Sequence, residues 1–476
     1  MKGVEFQELE LDILRNAIKN IEEKSKRMQI SDPSITKIIS IVEDFLRKKK
    51  LICYGGTAIN NILPYNEQFY DKSIELPDYD FFSTTPVEDA KELVDIYVKE
   101  GFNEVEAKSG IHFGTYKVFV NFIPVADITY LDPIIFKSLE KESKKIDGIY
   151  YAAPNFLRMA MFLELSRPKG DVSRWEKVLK RLTLLNKHYP LKTKDCDEVE
   201  IQRIFDDSKI SKAEQDKIFY TVRDALLSNN VVFFGGFANR LYLKNLSEFK
   251  KKKFQKIPDF DVLSEEPERT ATIVKERLNE EGFKHVKVVK KKGLGEIIAP
   301  HYEILIGNDT VVFIYEPLAC HSYNKIKMGN KMVKVATIDT MLSFYLAFLY
   351  ANRPYYDAHR ILCMAQYLFK VQQQNRLKQK GILRRFTMNC IGTQKTIEDI
   401  RKEKSDKYNE LKGQRGTKEY EKYFLKYVPQ EEIKKSKKER KNKTQKKKNG
   451  SKKKNNNNKK TVSKKKGLLE RIESIF

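Results

Sequence analysis

Residues 51–64, LICYGGTAINNILP, carry an apolar run into two glycines and then into helically spaced residues. The predicted reading is a short strand over Leu51–Tyr54, a turn at Gly55-Gly56 and a helix from Thr57 onward. Glycine permits positive φ and close approach to the backbone, and the free N–H groups of a helix N-terminus attract phosphate. No Gly-Lys-Ser/Thr follows, which excludes a Walker loop. Asp78-Tyr79-Asp80 begins 22 residues beyond Gly56. In a strand, residues i and i+2 share a face, so both carboxylates point one way and repel unless a cation separates them. A third carboxylate, Asp127, lies near the end of Tyr116–Ile128, where Tyr116, Val118, Val120 and Phe122 alternate as one side of a strand. An isolated Asp-x-Asp is usually a solvated turn. The glycine corner before it and Asp127 after it turn the reading toward metal-assisted phosphoryl chemistry, for which three carboxylates can hold two Mg²⁺ ions.

The same order returns 180 residues later. Val231-Val-Phe-Phe-Gly235-Gly236-Phe237 repeats the strand and double glycine, and Asp259-Phe260-Asp261 follows Gly236 by 23 residues. Glu281-Gly282-Phe283 answers Glu100-Gly101-Phe102, each glycine 21 residues past the second aspartate. Pro317-Leu-Ala-Cys320 is matched to Pro124-Val-Ala-Asp127, and Arg353-Pro354 to Arg167-Pro168. Five landmarks in one order imply two related α/β units. The second has Phe237 for Thr57 and, on this matching, Cys320 for Asp127. A neutral thiol offers little to a hard cation, so the second copy is expected to be catalytically inactive.

Around these units the chain is strongly basic, with 91 Lys+Arg against 65 Asp+Glu and a formal charge of +26. Residues 434–476 hold 19 Lys+Arg and three Glu, and their Lys, Asn, Ser and Gly content predicts a disordered tail. Such an excess favours a polyanion, chiefly nucleic acid. The five cysteines are scattered without a Cys-x-x-Cys pair, which argues against a zinc site or a disulfide framework. The segment MKGVEFQELELDIL is charged within its apolar stretch, and no run of 18 apolar residues occurs. A soluble intracellular chain, neither secreted nor membrane-spanning, is expected. Amphipathic helices are predicted over 5–30 and 32–50, and Thr85-Pro86-Val87-Glu88 reads as a capping box opening a helix that Gly101 stops. Residues 152–187 read as helical with a break at 167–170.

Gly-Gly-Thr, Asp-x-Asp and a lone later Asp, in that order, resemble the DNA polymerase β-type nucleotidyltransferase superfamily. Within it the chain is most similar to catalytic subunits of viral poly(A) polymerases from poxviruses and large cytoplasmic DNA viruses. The resemblance rests on Leu51–Asn61, Pro77–Ser83, Pro124–Thr129 and Ser173–Leu182, and it covers most of residues 35–370. The spacing of 22 exceeds the compact superfamily pattern, so Ile62–Pro77 should be a loop inserted near the site. The implied fold is α+β, with two tandem nucleotidyltransferase-like units, each a mixed sheet with a glycine-glycine helix and flanking helices. The expected divisions are 1–190 for the active unit with its N-terminal helices and 191–400 for the degenerate unit. A helical extension is expected over 401–433 and the basic tail over 434–476.

What the resemblance implies for the site is specific. Asp78, Asp80 and Asp127 would be catalytic metal ligands for two Mg²⁺ or Mn²⁺ ions, and Gly55, Gly56 and Thr57 would hold the triphosphate of ATP. Asn155, Arg158 and Lys177 are candidates for further nucleotide contacts, with solvated helix positions as the plainer alternative. The reaction would be AMP transfer from ATP to an RNA 3′ end. The implied partners are RNA and, as for poxviral relatives, a methyltransferase-type processivity subunit, whereas the built-in basic arm and the spare second unit point to a self-sufficient homodimer. The expected setting is the host cytoplasm at the viral factory, with packaging in the virion as an extension. A tRNA-end or oligoadenylate-type transferase and a catalytically silent RNA-binding protein are the competing readings. Trp175, amid Arg174, Lys177, Lys180 and Arg181, fits either a core position or a base-stacking one.

Overall fold

The computed structural model describes residues 2–30, 32–70, 77–196, 202–203, 210–249 and 256–429. The predicted tail and part of the inserted loop lie outside these residues. Contact density separates a compact unit, Met1–Tyr427, from Val428–Phe476.

The compact unit has two lobes built on one plan. The first opens with α1 (Lys2–Ile30) and α2 (Pro33–Lys49), then β1 (Ile52–Cys53), α3 (Gly55–Ile62), β2 (Tyr79–Ser83) and α4 (Pro86–Lys99). It continues with β3 (Val105–Ser109), β4 (Thr115–Val120), β5 (Ile123–Tyr130), α5 (Pro133–Glu142), β6 (Lys144–Ile146), β7 (Ile149–Tyr151), α6 (Pro154–Leu165) and α7 (Trp175–His188). The second lobe runs α8 (Lys212–Ser228), β8 (Val232–Phe234), α9 (Gly235–Leu243), β9 (Phe260–Leu263), α10 (Pro267–Glu280) and β10 (Val286–Lys291). It adds β11 (His301–Ile306), β12 (Asp309–Tyr315), β13 (His321–Met328), β14 (Lys331–Ala336), α11 (Ile338–Phe348) and α12 (Ala358–Gln374). The chain ends its described course with β15 (Cys390–Ile391), α13 (Ile397–Leu411), α14 (Lys418–Phe424) and β16 (Lys426–Tyr427).

Each lobe has an eight-stranded mixed sheet, ordered β16-β3-β4-β5-β2-β1-β7-β6 and β10-β11-β12-β9-β8-β14-β13-β15. Without the edge strands β15 and β16 the two orders coincide. The senses coincide as well: β1–β2 and β8–β9 are antiparallel, while β2–β5 and β9–β12 are parallel. α6 and α11, equivalent helices, pack on each other and join the lobes, with Phe156 and Tyr350 ring centroids 5.2 Å apart.

Several local expectations are corrected. Tyr116–Ile128 is a hairpin rather than one strand. Asn121 and Phe122 turn it with φ of 51° and 66°, which leaves Phe122 82% exposed instead of in the apolar face. Asn tolerates this left-handed region because its short amide bonds locally. Thr85 makes no side-chain cap to α4; the buried Ser83 hydroxyl accepts from Thr85 N at 2.8 Å instead. The cysteines, distant in sequence, pair in space as Cys196–Cys363 and Cys320–Cys390, with Cα separations of 5.3 and 5.2 Å. The segment after residue 400 is no single exposed helix. It returns to the first lobe, where β16 pairs with β3 and Tyr427 donates to Asp95 at 2.8 Å. α1 is amphipathic as expected, but Leu14, Ile18 and Ile21 are exposed. Among the described residues no helix is long and apolar enough to cross a membrane.

Candidate active site

The glycine corner forms because β1 must turn beside β2. Tyr54 is extended and its N–H donates to the Asp80 carbonyl at 2.9 Å, extending the β1–β2 pairing. Gly55 then adopts φ of 72°, and a Cβ there would stand 2.5 Å from Asp80 Oδ2. Any side chain would therefore displace the carboxylate. Gly56 is closed in from the other side by the Tyr70 hydroxyl and by Arg181 Nη1, which would lie 2.9 Å from an added Cβ. Arg181 donates to Tyr70 Oη at 2.6 Å and lies over the Phe69 ring at 4.8 Å. The described end of the inserted loop thus meets the start of α3, bringing a guanidinium to the positive end of that helix.

Asp80 and Asp127 face each other across the parallel β2–β5 pair, and Lys117 on β4 faces Asp127 from its other side. Asp78 lies two residues before Asp80, at the exposed mouth. Burial, then Asp78 and then Asp127 push the Asp80 carboxyl up to about 7, against the opposing pull of Lys117 and Arg174. Asp78 is also raised, by desolvation and by Asp127. The three acids therefore share one field. Asp127 is held by the Lys117 ammonium through Oδ2, while its buried Oδ1 has no hydrogen-bond partner. Among the described residues no three His, Cys, Asp or Glu side chains are gathered closely enough to hold a metal ion. The donor set nonetheless fits a divalent cation. An orphaned buried oxygen and two raised carboxyls are what such a cation relieves, and Lys117 is the charge that stands in for it.

Other positions behave differently from expectation. Thr57 is buried and its hydroxyl donates to the Asp78 carbonyl at 2.7 Å, so it fixes the approach to β2 and is not free for a phosphate. Arg158 is 1% exposed. It donates to Asn155 Oδ1 at 2.5 Å, to Asn186 Oδ1 at 2.7 Å and to the Tyr189 carbonyl, clasping α6 to the end of α7. Asn155 is thereby an internal acceptor. Lys177 is exposed on α7. The stretch 173–182 instead contributes Arg174 and Arg181, seven residues apart and so close to one face of the helix. The sequence reading included both in the resemblance but singled out neither. Tyr54 was also missed: stacked on Phe82 at 3.9 Å, it shares a hydrogen bond with Thr129 at 2.8 Å and has its phenol raised by burial and by Asp80. A cavity of about 680 Å³ opens elsewhere, by Glu268, Lys290 and Tyr302, and none of the site residues lines it.

In the second lobe the corner is kept, but the acids beside it are met by an internal cation. Gly235 has φ of 68° and abuts Asp261. The residue opposite Asp261 on the parallel strand, where the first lobe has Asp127, is Phe313 and not Cys320. Cys320 lies beyond β12, paired to Cys390. Arg203 fills the acidic site: its Nε donates to Asp259 at 2.5 Å, its Nη2 lies 3.4 Å from Asp261, and its guanidinium covers the Phe313 ring at 4.2 Å.

Residues 40–171 match the family model described as Poly(A) polymerase catalytic subunit. A mimivirus protein provisionally named a poly(A) polymerase catalytic subunit is 32% identical over 191 residues, 39% of this chain and 31% of that one. An African swine fever virus protein of the same provisional name is 35% identical over 173 residues, 35% of this chain and 36% of that one. The chain thus spans about a third of the length of these relatives. The crystal structure of the Megavirus polyadenylate synthase has the same fold, with a TM-score of 0.74 at 22% identity over 90% of this chain and 86% of that one. The matched residues 40–171 hold the glycine corner and all three carboxylates, so it is this part of the chain that is similar to the poly(A) polymerase catalytic subunit family.

Proposed function

We propose that the chain is a template-independent poly(A) polymerase that adds AMP from ATP to RNA 3′ ends. The observation that carries this is the pairing of Asp80 with Asp127 beside Gly55, inside the segment that matches the family. Asp78, Asp80 and Asp127 would hold two Mg²⁺ or Mn²⁺ ions, whose chemistry is activation of a hydroxyl and neutralisation of a triphosphate. The N–H groups at the start of α3 would receive phosphate oxygens, with the Arg181 guanidinium as their charge complement. Lys117 orients Asp127, and Thr57 positions Asp78 through its carbonyl. In-line transfer needs little more from a protein than placement and charge balance.

The test is extension of a labelled RNA primer by the pure chain with each of the four nucleoside triphosphates in turn. Long products with ATP alone are expected. A short addition that also uses CTP would favour the tRNA-end type. RNA binding without extension under any condition would overturn the reading in favour of a silent RNA-binding protein.

A further inference from the structure

A basic, aromatic ledge lies where the first lobe meets the second. From the first lobe it takes the start of α7, with Arg174 and Lys177 exposed and the Trp175 ring half-buried, its N–H donating to the Glu164 carbonyl at 3.1 Å. From the second it takes residues 376–390, RLKQKGILRRFTMNC, which contain five Arg or Lys and no acid. Phe386 meets Trp175 at 5.7 Å between ring centroids, yet remains 42% exposed, and Met388 beside it is 78% exposed.

This segment is held firmly. Arg385 makes a two-pronged ion pair with the buried Asp339 at 2.6 and 2.9 Å. Asn324 donates to the carbonyls of Ile382 and Arg384 at 3.1 and 2.7 Å, and Tyr323 N donates to the Asn389 carbonyl at 3.0 Å. An aromatic ring and a thioether are thus presented to solvent on a fixed frame. A loop selected only for solubility would have no reason to keep them out, since exposed apolar groups gathered in one place mark contact surfaces. Arg384 and Lys380 flank them, both exposed.

The ledge also has a place relative to the glycine corner. Trp175 precedes Arg181 by six residues on one helix, a rise of about 9 Å, and Arg181 is the residue that closes on Gly56. Cations for a backbone of phosphates beside a ring for a base is the composition that binds single strands without reading their sequence.

We infer that the Trp175–Phe386 ledge, with Arg174 and Arg384, takes the single-stranded RNA just upstream of the 3′ end, Phe386 stacking on a base. This rests on the proposed polymerase reading and names the surface that would deliver its acceptor.

The test uses the full chain and a 5′-fluorescein oligoadenylate RNA, binding being followed by anisotropy without ATP and extension separately. Phe386→Ala is expected to weaken RNA binding about tenfold. It should raise the KM for primer similarly, with the KM for ATP and kcat at saturating primer unchanged. Because no charge is removed, the salt dependence should keep its wild-type slope, whereas Arg384→Ala should lower it by about 0.7 in the log–log plot. Phe386→Trp should restore binding. Leu377→Ala, a truncation of a 96% exposed residue on the same stretch, should do nothing. Wild-type RNA affinity in Phe386→Ala overturns the inference, as does a loss that Trp fails to restore. A chain that binds RNA through Phe386 but adds no nucleotide would leave the ledge standing and remove the polymerase reading.

Discussion

Lys37 and Lys217 make the same bonds 180 residues apart. Each donates to a glutamate carbonyl at 2.9 Å and pairs with that glutamate's carboxylate at 3.0 Å, Glu100 for one and Glu281 for the other. Each also lies 5.7 Å from the ring of the phenylalanine that follows, Phe102 or Phe283. The lobes agree in such peripheral detail and differ at the acidic pair. In the first lobe Asp80 has two acidic neighbours, and Asp127 keeps a buried oxygen unpartnered. In the second, Arg203 neutralises Asp259 and Asp261, with Arg360 3.9 Å from Asp259, while Phe237 packs on Phe233 and Phe260 where Thr57 stood. One site has been left electrostatically unsatisfied and the other closed with an internal cation. A charge-compensated site and an uncompensated one can therefore share a backbone and differ in a few charges.

The sharpest way to break this contrast is to remove one carboxylate from each lobe. Asp80→Asn is expected to lower nucleotide addition by about 10²–10³-fold or more, while Asp261→Asn stays within about twofold of wild type. Mn²⁺ should raise the Tm of wild type and of Asp261→Asn by about 2–4 °C at saturation and leave Asp80→Asn unmoved. Equal losses in both variants would mean that the lobes are not divided in this way.

Removing the internal cation comes next. Arg203→Met leaves the buried Asp259 and the half-buried Asp261 with Arg360 as their remaining nearby cation and should cost about 3–5 kcal/mol in chemical denaturation. Combining it with Asp259→Asn and Asp261→Asn should recover most of that, because an apolar or neutral replacement of the whole cluster is far cheaper than half of it. A single variant as stable as wild type would show that Arg203 is an incidental neighbour.

Acid should separate the lobes less severely. His301 and His321, both buried in the second lobe, are lowered to about 4 and about 3 by desolvation first. Their neutral forms are favoured by folding, so the unfolded chain binds more protons in the interval below the ordinary histidine value. Stability from this source is complete above about pH 6.5 and is lost as pH falls toward 4, on the order of a few kcal/mol. Hydrogen exchange at pH 5 should show second-lobe strands opening before those of the first. His321→Gln should flatten this acid limb; an unchanged limb would discount the histidine.

The smallest effect concerns residues 434–476. Their removal should shorten products and reduce the log–log salt slope by about 0.7 for each lysine that contacts RNA, with single additions spared. Unshortened products would remove the tail from the reaction.

The glycine corner and Asp78/Asp80 were legible because they depend on local geometry: a strand-to-helix turn and the two-residue period of a strand. The repeat was legible from its intervals alone. Asp127 could be guessed, but its partner in the second lobe could not. Matching Pro317 to Pro124 led to Cys320, whereas Pro124 lies inside β5 and Pro317 lies after β12, so strand pairing selects Phe313. Lys117 was hidden because a hairpin turn at Asn121–Phe122 sets it against Asp127, and nothing in the alternating pattern announces that turn. Lys177 and Arg158 look like equally good nucleotide ligands in sequence; burial alone separates a clasp from an exposed cation.

By itself the sequence determined the glycine corner, the Asp78/Asp80 pair that follows it, and that two copies of a strand–glycine–helix unit exist. Only the tertiary structure decided which strands lie side by side. That choice fixes that Asp127 shares the field of Asp80, that Arg203 ion-pairs with the second pair, and that Phe386 reaches Trp175 across some 200 intervening residues. The physical reason is range: turn geometry and periodicity act within a few residues, whereas pairing register, desolvation and charge compensation depend on neighbours that the chain brings together only by folding.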